Sequence, residues 1–272
     1  MTAVATKGDR QTTSVLTAAV RAFLALLWRD VFVDGRQWAA FAAQVILQPL
    51  FLLFVFGKVL GDLGYTDAGY GRLLMPGIVT LTAFMTALQS TAFPLVIDFS
   101  WAREIEDRLL APLPMSAVAT EKVLFSTLRS LVAAATIFPV GWLMLGFVPW
   151  TVEGTILVAV MLVLSAVTGS VVGLTLGTLV PPAKINVIFG LVMVPLMFTG
   201  STQYPWPELS RLPWFQVVAA GNPLTYASEG MRAALSPDVP HIPVWVSVLA
   251  LVGFIALFTV TGVLGFRRRA LD

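Results

Sequence analysis

Six long runs of mostly apolar residues occupy most of the chain and leave it few ways to fold in water. They cover residues 37–56, 73–97, 123–147, 154–180, 185–199 and 244–266. Because about 20 mostly apolar residues cross a bilayer as one helix, we predict an all-α integral membrane protein with six transmembrane helices. Only 12% of the residues are charged, about half the charged fraction of an ordinary soluble domain.

The segment before the first run differs from the others. Residues 14–36 carry apolar side chains at near-helical spacing, interrupted by Arg21, Arg29 and Asp30. Since these charges exclude a span, we predict an amphipathic helix in the cytoplasmic interface, with an ordinary solvated helix as the alternative. The predicted divisions are a cytoplasmic tail (1–13), the interfacial helix (14–36), one six-helix transmembrane domain (37–266) and a cytoplasmic basic tail (267–272).

The placement of the basic residues predicts the orientation. With a cytoplasmic N-terminus, all but four of the 17 Lys and Arg residues lie inside or at the inner boundary. The exceptions are Lys58, Arg72, Arg211 and Arg232. Basic residues accumulate on the cytoplasmic side of membrane proteins, so we expect a multi-pass protein with both termini in the cytoplasm.

Composition and motifs exclude several kinds of chemistry. The chain has no Cys and a single His, which excludes disulfides, thiol catalysis and metal sites made of Cys or several His. No Gly-x-x-x-x-Gly-Lys-Ser/Thr loop occurs, so no phosphate-binding loop of that type is present. The net charge of +2 does not suggest a nucleic-acid partner. We therefore expect no catalytic site and no cofactor in this chain.

Polar residues inside the apolar runs are candidates for a path through the membrane. Gln44 and Gln48 are four residues apart in the first run, and Thr82, Thr86 and Gln89 form a similar stripe in the second. Polar side chains in lipid face protein or a cavity, so we predict that these five line a translocation path. Hydrogen bonding between helices is the alternative. We assign a further stripe to close helix packing: Gly169, Gly173 and Gly177.

The loop between the second and third runs is strongly charged. Its charged residues are Arg103, Glu104, Glu106, Asp107 and Arg108, and they are followed by Leu109, Leu110 and Pro112. Apolar residues recur in it at helical spacing, and proline ends helices. We predict a short amphipathic helix in the cytoplasm that docks a soluble partner; the alternative is a solvated loop that only fixes the topology.

This loop, running into Glu121 and Lys122, resembles the cytoplasmic loop of ABC-2 type exporter permeases. There an Arg-Glu-rich stretch leads to a Leu-Leu-x-x-Pro run, although Asp107-Arg108 stands where the family usually has Gly-Thr. A second set of residues falls in the family's order between the fifth and sixth helices: Gly200-Ser201, Tyr204-Pro205, Leu212-Pro213-Trp214, Asn222-Pro223 and Glu229 to Arg232. The overall pattern is most similar to the drug-resistance and lipo-oligosaccharide branch.

The resemblance implies the permease subunit of an ATP-driven exporter in a bacterial plasma membrane. Two permease copies, or one copy and a sister permease, would surround a path through the lipid for an amphipathic drug, lipid or lipid-linked glycan. Two copies of a separate ABC ATPase subunit would bind ATP and Mg and act on the cytoplasmic coupling helix. The coupling residues would be those from Arg103 to Pro112 named above.

The resemblance also implies that the extracytoplasmic segment between the fifth and sixth helices is re-entrant and forms an outer gate. The gate residues would be Tyr204, Pro205, Asn222, Pro223, Glu229 and Arg232. Glu229 and Arg232 are three residues apart, which places them on one helix face where they can pair with each other or cap nearby backbone. An ordinary external loop is the alternative.

Two other functions stay open from the sequence. One is a secondary transporter or channel, although no ionisable residue of the kind such folds carry was identified at mid-membrane. The other, which we disfavour, is an intramembrane hydrolase built on Ser201 and His241.

Overall fold

A computed structural model describes residues 7–65, 70–100, 115–145, 152 and 154–271. The regular structure of these residues is helical, and they contain no β-strand. In chain order the helices are α1 (Lys7–Gly35), α2 (Trp38–Asp62), α3 (Tyr70–Ser100), α4 (Met115–Leu145), α5 (Thr155–Leu179), α6 (Ile185–Thr199), α7 (Pro213–Ala220), α8 (Pro223–Leu235) and α9 (Val244–Leu271). Short 3-10 helices precede α6 (Pro182–Lys184) and α7 (Trp206–Arg211).

Six helices in the described part of the chain are long and apolar enough to cross a membrane: α2, α3, α4, α5, α9, and α6 with its preceding 3-10 turn. This confirms the predicted all-helical fold with six membrane helices. Lipid offers backbone groups no hydrogen-bond partners, so a helix, which satisfies them internally, is the natural form of each apolar run. The first run extends further than predicted, because α2 continues through a π-helical stretch (Leu53–Val59) to Asp62.

The first helix begins earlier than the sequence pattern indicated. It starts at Lys7, within the segment predicted as a tail, and ends at Gly35. Its apolar residues do not form a continuous buried face: Leu24 and Trp28 are exposed, whereas Asp30 and Asp34 contact α4 through ion pairs. The acidic side of α1 therefore packs on the membrane helices, and an apolar side remains uncovered.

Helices α3 and α5 form the centre of the bundle. Of the membrane-capable helices they are the most buried, while α2, α6 and α9 keep most of their sides uncovered within the single chain. The predicted glycine stripe of α5 faces α3: a Cβ added at Gly169 or Gly173 would overlap the Phe84 or Leu88 carbonyl oxygen. This confirms the packing assignment, since small residues allow two helix backbones to approach closely.

Hydroxyl groups join the same core to α4. The Thr91 hydroxyl of α3 donates to Ser126 Oγ of α4 at 2.7 Å, and Ser126 donates to Ser170 Oγ of α5 at 2.9 Å. Thr127 Oγ1 lies 3.1 Å from the same Ser170 oxygen. Buried polar groups are costly unless they are paired, so this cluster fixes how the three helices face one another.

Helix α9 continues through the basic residues near the C-terminus, ending at Leu271. Arg269 donates from NH1 to the carbonyl oxygens of Gly177 and Val180, both at 3.0 Å. The last carbonyls of a helix lack intrahelical partners and carry partial negative charge. Arg269 therefore caps the C-terminal end of α5 and holds the end of α9 against it.

We expect Gly173→Ala to lower the thermal unfolding temperature of the detergent-solubilised chain. The added methyl group overlaps the backbone of Leu88, and overpacking of this kind costs about 1–3 kcal/mol. The measurement is the fraction that stays monodisperse on size exclusion after heating. Gly253→Ala in α9 is the matched control, because no atom lies within 4 Å of its added Cβ; equal losses in the two variants would contradict the α3–α5 contact.

Candidate functional site

A partly open cleft of about 290 Å³ lies between α2 and α3 and reaches α4. All five residues predicted to line a path are in its wall, which is formed by Phe41, Gln44, Val45, Gln48, Pro49, Leu81, Thr82, Met85, Thr86, Gln89, Ser90, Phe93, Pro94 and Arg129. The helical spacing of the two stripes explains this, since residues three or four apart share one helix face. The structure thus brings two stripes from different helices together.

Helix α6 borders the same cleft. The Gln48 amide donates from Nε2 to the sulfur of Met197 at 3.1 Å, and the Phe93 and Phe189 ring centroids are 4.4 Å apart. Thr82 is satisfied within its own helix, because its hydroxyl donates to the Ile78 carbonyl at 2.8 Å. The cleft therefore presents amides, hydroxyls and aromatic rings, a surface suited to a molecule with both polar and apolar parts.

Arg129 lies in this wall and was not among the predicted path residues. It lies close to the middle of α4 (Met115–Leu145). Its NH2 is 2.9 Å from Asp34 Oδ1 of α1, its NH1 donates to Ser90 Oγ at 3.4 Å, and its Cζ lies 4.3 Å from the Phe41 ring centroid. Its position as a lone Arg inside an apolar run could have identified it from the sequence, because ionisable residues within membrane spans tend to be functional.

A second ion-pair group lies about two helical turns along α4 from Arg129. Lys122 Nζ is 3.3 Å from Asp30 Oδ2 of α1 and 3.4 Å from Asp98 Oδ2 of α3. All three side chains are nearly buried. Together with the Arg129–Asp34 pair, these contacts join α1 to α4, and Lys122 also joins α4 to α3.

Asp34 is the more exposed acidic residue of α1 in these contacts. Burial raises the pKa of its carboxyl above the ordinary value, the Arg129 guanidinium opposes that rise, and the nearby Asp30 adds to it. The Asp34 carboxylate therefore depends on Arg129 to remain charged in a partly desolvated place.

The predicted coupling residues lie outside the described residues. These are Arg103, Glu104, Glu106, Asp107, Arg108, Leu109, Leu110 and Pro112. The structure does show what the loop joins: α3 ends at Ser100 and α4 begins at Met115, and both helices contribute to the cleft wall.

The predicted outer-gate residues fall in one packed segment between α6 and α9, residues 200–243, which we call the outer segment. Asn222 caps α8, because its Oδ1 accepts from Leu224 N at 2.9 Å, and Pro223 is the first residue of that helix. The Asn222 amide also donates to the Leu196 carbonyl at 2.8 Å. Asparagine at the N-cap followed by proline is a strong helix start, so these residues fix where α8 leaves the end of α6.

Tyr204 and Pro205 hold the preceding turn. The Tyr204 hydroxyl donates to the Phe198 carbonyl, and Pro205 leads into the 3-10 helix Trp206–Arg211. The backbone of Ser201 has a φ of 50°, in the left-handed region that favours glycine. Gly77 of α3 makes room for this turn, since a Cβ there would overlap the Thr202 carbonyl. The outer segment is therefore packed directly on α3.

Glu229 and Arg232 form the predicted ion pair, and both side chains are completely buried. The two Glu229 carboxylate oxygens accept from Trp206 N at 3.0 Å and from Ile242 N at 2.9 Å. Arg232 donates from NH2 to the Ser201 carbonyl at 2.9 Å. The pair thus joins α8 to three other parts of the outer segment. The spacing of Glu229 and Arg232 in the sequence could not indicate these contacts.

Burial dominates the electrostatics of this pair. It raises the pKa of the Glu229 carboxyl, while the Arg232 guanidinium and the two N–H donors limit the rise. Such a pair is stable only when the remaining polar atoms also find partners, as the bonds from Trp206 and Ile242 provide for Glu229.

The two residues of the alternative hydrolase site are not joined by a hydrogen bond. The buried Ser201 hydroxyl has no hydrogen-bond partner among the described residues, and His241 Nδ1 lies 2.8 Å from the Val239 carbonyl. Nor do the described residues contain a cluster of three or more His, Asp or Glu suited to a metal ion.

Comparisons with a family profile and with individual proteins both point to transport permeases. Residues 21–236 match the sequence profile of the ABC-2 type transporter family. The chain is 31% identical over 193 residues to a putative transport permease, ycf38, of Porphyra purpurea, covering 69% of this chain and 65% of that protein. The ycf38 protein of Pyropia yezoensis is 31% identical over 214 residues, covering 76% and 72%. The inner membrane transport permease YadH of Escherichia coli is 25% identical over 236 residues, covering 85% and 90%.

We expect Glu229→Ala to destabilise the chain in detergent strongly, by about 3–5 kcal/mol, because it leaves a buried guanidinium without its partner. Thermal unfolding followed by size exclusion measures the loss. Asp238→Ala is the control: Asp238 lies on an exposed position shortly after α8, and exposed changes usually stay within about 0.5 kcal/mol. A Glu229→Ala variant as stable as this control would contradict the role of the buried pair.

Proposed function

The chain belongs to the ABC-2 type transporter family, and from this membership we propose that it is the permease subunit of an ATP-driven exporter in a bacterial plasma membrane. The observation that carries the proposal is the cleft between α2 and α3. It gathers amide and hydroxyl side chains from two membrane-capable helices into one wall, which gives a polar surface where lipid would offer none.

The proposed translocation path includes Gln44, Gln48, Thr82, Thr86 and Gln89. Their mixture with Phe41, Met85 and Phe93 in one wall supports a transported molecule that has a polar part and an apolar part. An amphipathic drug, a lipid and a lipid-linked glycan all share this chemistry.

Half of the path is proposed to come from a second permease copy or a sister permease. Supporting this, α2, which lines the cleft, and α6, which contacts its wall, remain largely uncovered within one chain. A second subunit placed there would close the open side of the cleft, and lipid would cover the remaining apolar faces.

Energy is proposed to come from two copies of a separate ABC ATPase subunit that bind ATP and Mg. The charged loop from Arg103 to Pro112 would receive their motion in the cytoplasm. Because that loop joins α3 to α4, a displacement of it would act on two of the three helices that contribute to the cleft wall. The ion pairs of Asp30 and Asp34 with α4 would carry α1 along.

The outer segment is proposed to act as a gate on the extracytoplasmic side. The buried Glu229–Arg232 pair links α8 to Ser201, Trp206 and Ile242, so the segment would move as one unit. Its contact with Gly77 of α3 offers a direct route from the cleft helices to the gate.

The coupling proposal predicts that reversing three charges in the loop prevents the ATPase subunit from binding to the permease. We expect the triple variant Glu104→Lys, Glu106→Lys, Asp107→Lys to insert in the membrane normally but to lose the ATP hydrolysis that co-purifies with the unmodified chain from its native host. Like charges facing one another at a docking surface weaken association strongly.

Asp62→Lys is the charge-reversal control for this experiment. Asp62 forms an exposed pair with Lys58 at the far end of α2, on the side we expect to face outward. It should retain the co-purified hydrolysis. Full retention in the triple variant would show that the coupling residues are wrongly assigned.

The path proposal predicts water access to the cleft. Because the chain has no Cys, Gln48→Cys provides a single reactive thiol, and we expect a charged, membrane-impermeant maleimide to label it in everted vesicles. Leu249→Cys on the exposed side of α9 is the lipid-facing control and should stay unlabelled, since thiolates do not form in hydrocarbon. Labelling of both thiols or of neither would argue against a water-accessible path here.

A further inference from the structure

Arg129 is the one charged side chain among the described residues that line the cleft. It lies near the middle of α4, roughly 10 Å further along the helix than Lys122. A cation within the apolar part of a membrane-capable helix is costly and is normally kept for a function.

The contacts of Arg129 leave part of its hydrogen-bonding capacity unused. A guanidinium has five N–H donors in a planar fork. Asp34 lies at 2.9 Å from NH2, the contact from NH1 to Ser90 is long at 3.4 Å, and Nε is buried without a hydrogen-bond partner. About a fifth of the side chain, 22%, is exposed. The fork is therefore held in place but not saturated.

The surroundings favour a negatively charged ligand. The cleft wall holds no carboxylate, since Asp34 contacts Arg129 from α1 and is not part of the lining. Arginine binds phosphate, sulfate and carboxylate groups through paired N–H bonds. A cationic ligand would meet the guanidinium and be repelled, whereas the amides of Gln44 and Gln89 and the Phe93 ring can accept the rest of an amphipathic molecule.

We propose that Arg129 binds the anionic head group of the molecule that occupies the cleft, so that the transported substrate is an anionic amphiphile. This inference rests on the proposed exporter function and specifies its substrate class. Asp34 serves as the resting partner of Arg129 and competes with the ligand for it. Removing Asp34 therefore strengthens binding of an anion, and removing Arg129 abolishes the preference for one.

The test is a binding titration on the full chain, purified in dodecyl maltoside without the ATPase. Gln44→Cys carries one environment-sensitive fluorophore at the cleft, and Leu249→Cys on α9 carries the same fluorophore as a control for partitioning into the micelle. The probes share one chain and differ in head group: dodecyl phosphate, dodecylphosphocholine and dodecyltrimethylammonium. Dihexanoyl phosphatidylglycerol is added as an anionic phospholipid.

We expect the anionic probe to reach half-saturation at about tenfold lower concentration than the cationic one, the size of effect that one charge-assisted hydrogen bond provides. In Arg129→Gln the preference disappears, and in Arg129→Lys much of it remains because the charge is kept. In Asp34→Asn the anionic probe binds more tightly than in the unmodified chain. Equal binding of dodecyl phosphate and the phospholipid indicates recognition of the head group alone; tighter binding of the phospholipid indicates a lipid substrate.

A purely structural role for Arg129 makes a different prediction. If the Arg129–Asp34 pair only anchors α1, then Arg129→Gln and Asp34→Asn lower thermal stability alike and neither changes the order of the probes, which overturns the inference. Asp34→Asn decides the matter even when Arg129→Gln fails to fold. Because no ATPase is present, the absence of a head-group preference in the unmodified chain refutes the substrate class alone, whereas failure of the unmodified chain to co-purify an ATPase refutes the exporter proposal.

Discussion

The absence of hydrogen-bond partners in lipid is the constraint from which the rest of this structure follows. It favours helices for the apolar runs, and it also decides where polar side chains can lie. Among the described residues, polar groups gather in a hydroxyl cluster among α3, α4 and α5, in ion pairs beside α1, and in the cleft wall, besides the buried pair of the outer segment. The first two are largely closed by their own contacts, whereas the cleft keeps amides and a guanidinium partly open to an incoming molecule.

Helix α3 connects the rigid and the functional parts of the molecule. One of its faces packs against the glycine stripe of α5, where the two backbones touch. Another contributes Thr82, Thr86 and Gln89 to the cleft, and its first turns support the outer segment through Gly77. Because packed interiors resist continuous deformation, α3 is suited to transmit a displacement from the charged cytoplasmic loop to the cleft and to the outer segment together.

Buried charges mark both ends of this arrangement. Lys122 and Arg129 receive carboxylates from α1 at one end, and Glu229 pairs with Arg232 at the other. Buried ion pairs contribute little net stability compared with apolar packing, yet removing one partner is strongly unfavourable. Their value here lies in fixing geometry. The pairs of Lys122 and Arg129 join α1 to α4, which is far away in the chain. Glu229 and Arg232 are neighbours on α8, and their further hydrogen bonds hold Ser201, Trp206 and Ile242 around them.

The amino-acid sequence by itself determined the features that depend on local periodicity. Apolar run length gave the six helices, four-residue spacing gave the polar stripes of α2 and α3, and the separation of Glu229 from Arg232 indicated a pair on one helix face. Only the tertiary structure decided which stripes meet and which charges pair at a distance. Asp34 of α1 contacts Arg129 of α4, and Asp30 of α1 contacts Lys122 of α4, although α2 and α3 lie between α1 and α4 in the sequence. Helical spacing is encoded within a few neighbouring residues, whereas these contacts depend on how close glycines and hydroxyls allow whole helices to approach.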